Sequence, residues 1–255
     1  AYIGLAAVYQ LEADIREKHK NLDNAEMCYK NARPYISKIE DKHIVSMYYC
    51  NYGNLYAAMA EALQDVKLEQ EADYIKRSIK KFLDGLSIAG ISRHDSQELL
   101  YGLAMSYRKL AHLELTLKNY PEAKNNCEKA IATNKRIIKG INLEREQRDY
   151  VGASVNLGTA YLQTFDVLRA ISGDDKNTLL RYLSSAEDAL KNANEFNGGG
   201  KYFNGGIIPM RLGMLYYRRG LLTKSAATFD KAVRYYDDAL KNFPVSSQLY
   251  THLEI

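Results

Sequence analysis

Residues 211–236 read RLGMLYYRRGLLTKSAATFDKAVRYY, and this stretch decides the fold. Apolar positions recur at helical spacing on both sides of Gly220, which predicts two helices joined by a tight turn at that glycine. Gly213 lets the second helix approach the first closely, while Tyr216 and Phe229 fill the space between the two. Such a hairpin cannot bury its apolar face alone, so the pattern predicts further copies that stack on it.

A second copy is present at residues 106–131, SYRKLAHLELTLKNYPEAKNNCEKAI, which keep the same spacing of small and large residues. Together the two stretches resemble the tetratricopeptide repeat, a helix–turn–helix unit with a small residue, an aromatic, a turn and an alanine at these offsets. Weaker copies begin near Ala13, Gly53 and Gly158. The resemblance implies an all-α fold, a right-handed superhelix of antiparallel helix pairs covering nearly the whole chain.

The repeats are enlarged. The small residue of each first helix falls at positions 13, 53, 111, 158 and 213, so every step exceeds the usual repeat of about 34 residues. We therefore expect a curved, irregular solenoid within one domain, residues 1–255, with units at 1–40, 41–91, 92–141, 142–197 and 204–243. The chain begins without methionine, and we expect it to be a segment of a larger protein.

Local signals set several expected boundaries. Asp41 is suited to cap one helix, and either Ser92 or Asp95 is suited to cap the helix after Gly90. Pro34 is expected to end or kink the helix that contains it. Asn142 is expected to cap a fourth-unit helix that reaches about Ala170. Glu114 stands where the repeat usually has an aromatic, and a hydrogen bond to a neighbouring tyrosine would satisfy it between the helices.

Charge argues against nucleic acid. The net charge is +4, and the excess lies in residues 101–150 and 201–255, separated by acidic stretches. That alternation does not form the continuous basic track that RNA or DNA binding requires. No apolar run is long enough to span a membrane. Cys28, Cys50 and Cys127 form no CxxC pair, so we interpret them as small buried hydrophobes in a cytoplasmic protein.

Chemistry-bearing motifs are missing. The five histidines are scattered, no Cys/His set has zinc spacing, and no nucleophile elbow occurs. The glycine-rich loop at 196–206 lacks the strand and the Lys-Ser/Thr pair of a phosphate-binding loop. The sequence therefore predicts no enzyme, no metal and no cofactor.

The resemblance also implies a ligand groove, because the first helices of these repeats line the concave face. Arg108, Asn156 and Arg211 match three positions of the carboxylate clamp of chaperone-binding tetratricopeptide proteins, whereas His112 and Ile207 replace its other two. The groove would hold an extended protein segment or peptide, acidic or C-terminal, through amides, cations and methionines. Its candidate residues are Asn51, Asn54, Arg108, His112, Asn156, Arg211, Met214 and Arg218.

The leading hypothesis is thus a non-enzymatic protein–protein or peptide-binding scaffold. The alternative is a ligand- or peptide-responsive regulatory domain of a larger transcriptional or signalling protein, since such domains also carry enlarged repeats. RNA binding by a helical array is a third class, which the charge alternation disfavours.

Overall fold

The structure is a computed structural model that describes residues 18–63, 66–172, 175–198, 200, 202 and 205–243. The chain forms two compact units, Ala1–Gly140 and Ile141–Ile255. The described part of the first unit holds helices α1 (Lys18–Ile36), α2 (Lys42–Glu61), α3 (Leu68–Leu86), α4 (Arg93–Thr116) and α5 (Tyr120–Gly140). That of the second holds α6 (Gln147–Ser172), α7 (Lys176–Asn197), α8 (Ile207–Thr223) and α9 (Ala226–Asn242).

These helices confirm the all-α prediction, since the described residues contain no strand. Consecutive helices pack as antiparallel pairs. In the α6–α7 pair, the Tyr150 ring near the start of α6 lies 5.0 Å from the Phe196 ring at the end of α7. Further along, the Tyr161 and Tyr182 rings lie 6.1 Å apart. A large share of the core is therefore helix-to-helix contact within pairs.

The first unit is organised around the fully buried Phe82 of α3. A Cβ added at Gly53 of α2 would lie 2.7 Å from this ring, and one added at Gly102 of α4 would lie 2.2 Å from it. Both distances are shorter than any real carbon–carbon contact, so the ring occupies the space that two side chains would have filled. Beside it, the buried Ser78 hydroxyl donates to the Gly53 carbonyl at 2.8 Å.

Gly53 was expected to permit close approach, and the structure confirms it, but Gly102 was not expected. The sequence pattern placed the small residue of the third unit at Ala111. That alanine is fully buried, yet the residue that faces the inserted ring is Gly102, more than two turns earlier. A longer first helix has room for two small positions, and spacing alone did not separate their roles.

The second unit repeats the arrangement with different partners. A Cβ at Gly158 would lie 2.6 Å from Leu190, and one at Gly213 would lie 2.8 Å from Tyr236. Gly220 was expected at the turn but lies inside α8, where a Cβ would lie 2.8 Å from the Phe229 ring. The left-handed residue that ends the helix is Lys224, with φ of 54°. Gly220 is therefore a packing residue, and the chain turns four residues later.

Helix starts follow the expected caps in two of three cases. The Asp41 carboxylate accepts from the His43 amide at 2.9 Å, and the Ser92 hydroxyl accepts from the Asp95 amide at 3.1 Å. Asn142 instead caps an isolated turn, accepting from the Glu144 amide at 3.2 Å. The fourth-unit helix starts later, at Gln147, because the turn comes between the cap and the helix.

Two further expectations need correction. α1 begins at Lys18 and continues two residues past Pro34, because a proline in the last turn removes only one helical hydrogen bond. The buried Glu114 is satisfied by Asn119, whose Nδ2 donates at 2.8 Å, and by Lys76 at 3.4 Å. The expected tyrosine partner of Glu114 is therefore replaced by an asparagine and a lysine.

Tyrosine rings pack between α1 and α2. The rings of Tyr29 and Tyr52 stack at 4.8 Å and those of Tyr52 and Tyr56 at 4.9 Å. The Tyr56 hydroxyl donates to Glu26 at 2.9 Å, and burial raises the pKa of Tyr29, Tyr48 and Tyr52. Cys28, Cys50 and Cys127 are buried free thiols, as expected of small hydrophobes.

We predict that Gly102→Ala lowers the stability of the protein, because its methyl group would overlap the buried Phe82 ring. Overpacking of this kind costs about 1–3 kcal/mol. Chemical denaturation of both proteins is the measurement. Gly140→Ala is the matched control, since the nearest atom to its added Cβ is 3.6 Å away. Equal stability of the two variants would contradict the packing argument.

Candidate functional site

In the first unit, the first helices of two neighbouring pairs, α2 and α4, run side by side in the same direction. His43 at the start of α2 contacts Asp95 at the start of α4, with 2.7 Å between Nδ1 and Oδ1. Lys109 and Glu61, near the other ends of these helices, lie 3.7 Å apart. The surface between these two contacts is here named the α2/α4 face. It includes Met47, Asn51, Asn54, Met105, Arg108 and His112.

The α2/α4 face mixes amides, thioethers and cations. Met47 and Met105 are 40% and 37% exposed, which is high for large apolar side chains. Asn54 and His112 are exposed, whereas Asn51 and Arg108 are half-buried. Arg108 donates from Nη1 to the Met105 sulfur at 3.6 Å. Four of the predicted groove residues, Asn51, Asn54, Arg108 and His112, are therefore among the residues of this face.

The second unit has the same arrangement in α6 and α8. The Tyr202 hydroxyl, just ahead of α8, donates to Gln147 at the start of α6 at 2.8 Å. Near the other end, Arg218 of α8 pairs with Asp166 of α6. The two helices are therefore parallel, and the surface between these contacts is here named the α6/α8 face. It includes Asn156, Thr159, Gln163, Arg211, Met214 and Arg218.

The guanidinium of Arg218 is fully paired with the carboxylate of Asp166. Its Nε donates to one Asp166 oxygen at 2.8 Å and its Nη2 to the other at 2.6 Å, a bidentate pairing. Burial lowers the pKa of Arg218, but the Asp166 carboxylate outweighs burial, and the net shift is upward. This side chain, predicted as a groove ligand, is therefore already engaged within the protein.

Arg211 is different. It lies two turns before Arg218 on α8, level with Thr159, which lies two turns before Asp166 on α6. Its Nε is buried without a hydrogen-bond partner among the described residues, and its Nη1 donates only to the Met214 sulfur at 3.4 Å. Burial and then the charge of Arg218 lower the pKa of Arg211. No described carboxylate pairs with it.

Arg219, a third arginine of α8, also has a carboxylate partner. Arg219 donates to Glu187 of α7 at 2.6 Å, and Glu187 also accepts from Lys191 at 2.7 Å and from the Tyr216 hydroxyl. Burial raises the pKa of Glu187, but the contacts with Lys191, Tyr216 and Arg219 outweigh burial. The net effect lowers the pKa of Glu187 to about 2. Among the three arginines, Arg211 alone lacks a carboxylate in the described structure.

The predicted residues thus fall into two groups. Asn51, Asn54, Arg108 and His112 lie on the α2/α4 face of the first unit, and Asn156, Arg211, Met214 and Arg218 lie on the α6/α8 face of the second. The single cleft expected to hold Arg108, Asn156 and Arg211 stays a prediction. Sequence reasoning missed Asp166, although its position three residues after Gln163 places it on the same stripe of α6.

Over the described ranges, no group of three or more histidine, cysteine, aspartate or glutamate side chains is placed to hold a metal ion. Within the same ranges, no helix has both the length and the apolar character to cross a bilayer.

Comparisons with known proteins give the fold. No family model matches the chain, and no curated protein matches it. Among solved structures, the chain is similar to BtubC (BKLC) from P. vanneervenii, with a TM-score of 0.50 and 18% sequence identity. The similarity covers 97% of this chain and 85% of BtubC. At that identity it indicates a shared helical fold alone.

We predict opposite stability effects for two neighbouring arginines. Arg211→Met should raise the melting temperature, because it replaces a half-buried unpaired charge by an apolar side chain of similar length. Arg218→Met should lower it, because Asp166 would lose its bidentate partner. Thermal unfolding of the two variants beside the unmodified protein measures both. A fall for Arg211→Met as large as that for Arg218→Met would mean that Arg211 is paired in solution.

Proposed function

We propose that the chain is a non-enzymatic scaffold that binds an acidic protein segment or peptide, and that it is a tetratricopeptide-like repeat protein. The observation that carries the proposal is Arg211, a half-buried guanidinium on the α6/α8 face with no carboxylate partner among the described residues. A charge in that position costs stability unless a counter-ion is supplied. A ligand carboxylate would supply it.

The repeat assignment is supported by packing. At Gly53, Gly158 and Gly213, a glycine of a first helix lies against a large side chain of the following second helix. These glycines are the small positions of the repeat pattern. The parallel course of successive first helices within each unit also agrees with the way such repeats stack.

The chemistry of the two faces favours binding over catalysis. The α6/α8 face offers a guanidinium, the amides of Asn156 and Gln163, and the thioether of Met214. Amides can hold a peptide backbone, and methionine adapts to side chains of different shape. Arg218 contributes through Asp166, which neutralises it and leaves a net single positive charge at Arg211. The face therefore suits one carboxylate flanked by apolar or neutral residues.

The test selects ligands without assuming their identity. A peptide-display library with free C-termini is selected on the full chain, and the peptides obtained are measured by calorimetry. We expect the selected peptides to be enriched in aspartate or glutamate, or their binding to depend on the terminal carboxylate. Arg211→Met should weaken binding by about ten-fold or more, since a charge-assisted bidentate contact contributes about 1.5–3 kcal/mol.

Arg181→Met is the matched control. Arg181 lies exposed on α7 of the same unit, and its loss changes the net charge equally. We expect this variant to bind like the unmodified protein at physiological salt, where exposed charges beyond about 8 Å are screened. If both variants weaken binding equally, attraction is non-specific and the proposed α6/α8 site is wrong. The proposed site would also be wrong if the selected peptides are uncharged and Arg211→Met does not change their binding.

A further inference from the structure

The starts of α2 and α4 share one buried carboxylate. Asp95 lies three residues after the cap Ser92, and its Oδ2 accepts from the Ser92 hydroxyl at 2.8 Å. Its Oδ1 contacts His43 Nδ1 at 2.7 Å. The Asp95 side chain is 4% exposed, whereas the His43 side chain is 58% exposed. One group of the pair is therefore fixed in the fold, and the other can exchange protons with water.

The surroundings favour a positive charge on His43. The acidic groups facing it are Asp41, the cap of its own helix, together with Asp95 and Glu98 from α4. His94, also on α4, lies 3.6 Å from Glu98. Burial raises the pKa of Asp95, but Ser92, His43 and then His94 outweigh burial, and the net shift is downward. The hydrogen bond and the charge of Asp95 are the main reasons that the pKa of His43 is raised.

We propose that His43 is a pH-sensitive tie, which holds the starts of α2 and α4 together in mildly acidic solution and loosens as the solution becomes alkaline. The tie controls access to the adjoining end of the α2/α4 face. It does not depend on what that face binds.

The direction follows from linkage. Because folding raises the pKa of His43, its stabilisation is fully present below the unfolded pKa of about 6.5 and is lost as pH rises through the folded pKa. Because folding lowers the pKa of Asp95, its stabilisation is present above about pH 4 and is lost as pH falls. The ionic contact is strongest between these limits. Above them, the neutral His43 ring can still donate a hydrogen bond to the Asp95 carboxylate, but the attraction between opposite charges is lost.

His43→Gln is the informative variant, since glutamine can donate to Asp95 but does not titrate. The readout is the thiol of Cys50, which is 9% exposed and lies two turns along α2 from His43, on the same stripe of the helix. Its labelling by a maleimide is followed by peptide mass spectrometry from pH 5.5 to pH 8.5. Dividing the rate in the unmodified protein by the rate in His43→Gln cancels the intrinsic reactivity of the thiolate.

We expect this ratio to rise with pH, by up to about ten-fold for each unit by which folding raises the pKa of His43. His94→Gln, which removes a histidine that is 75% exposed on α4, should leave the pH dependence in place. A direct NMR titration of the His43 ring in the unmodified protein should give a pKa above 6.5. A ratio that does not change with pH, or a His43 pKa at or below 6.5, would overturn the proposal, and the NMR result stands even if His43→Gln does not fold.

Discussion

The structure depends on one kind of contact, a large side chain of one helix inserted against a glycine of a neighbouring helix. Phe82 against Gly53 and Gly102 is the tightest instance. Because no Cβ separates the helix from the ring, the two backbones come close enough for Ser78 to reach the Gly53 carbonyl. Close-packed interiors tolerate added atoms poorly. The distance of α2 and of α4 from α3 is therefore set by the contacts of Gly53 and Gly102 with Phe82.

That constraint explains why the two candidate faces exist at all. Packing of a glycine against a large side chain fixes one side of each first helix, so another side of α2, α4, α6 and α8 carries residues that the core does not use. On these sides, polar contacts join neighbouring first helices near their ends: His43 contacts Asp95, and Arg218 pairs with Asp166. Between the ends lie amides, methionines and arginines. Packing therefore leaves one surface of each first helix outside the core, and the end contacts link the two helices that form each face.

The same surface shows how differently three neighbouring arginines behave. Arg218 and Arg219 are anchored to Asp166 and Glu187, whereas Arg211 has only a sulfur contact within the described structure. Their positions on α8 differ by one to eight residues, and their side chains are chemically identical. What separates them is the element that lies opposite, because a charge in a half-buried site is stabilised only by a carboxylate within reach.

Sequence pattern alone predicted the helical class, the cap Asp41, and the small positions at Gly53, Gly158 and Gly213. These features depend on contacts a few residues apart or on helical periodicity, which the sequence displays directly. Pattern failed at Gly102, at Gly220 and at the partner of Glu114, where the deciding neighbour lies on another helix or where two small positions compete.

Periodicity along the sequence is therefore enough to assign the helical class and several of the small positions. Only the packing of whole helices settles which glycine lies against which large side chain, which arginine has a carboxylate partner, and which histidine meets a buried carboxylate. His43 and Asp95 are 52 residues apart, and so are Asp166 and Arg218. No local rule reaches that far, because such pairs form only when the packing of whole helices sets two side chains at hydrogen-bonding distance.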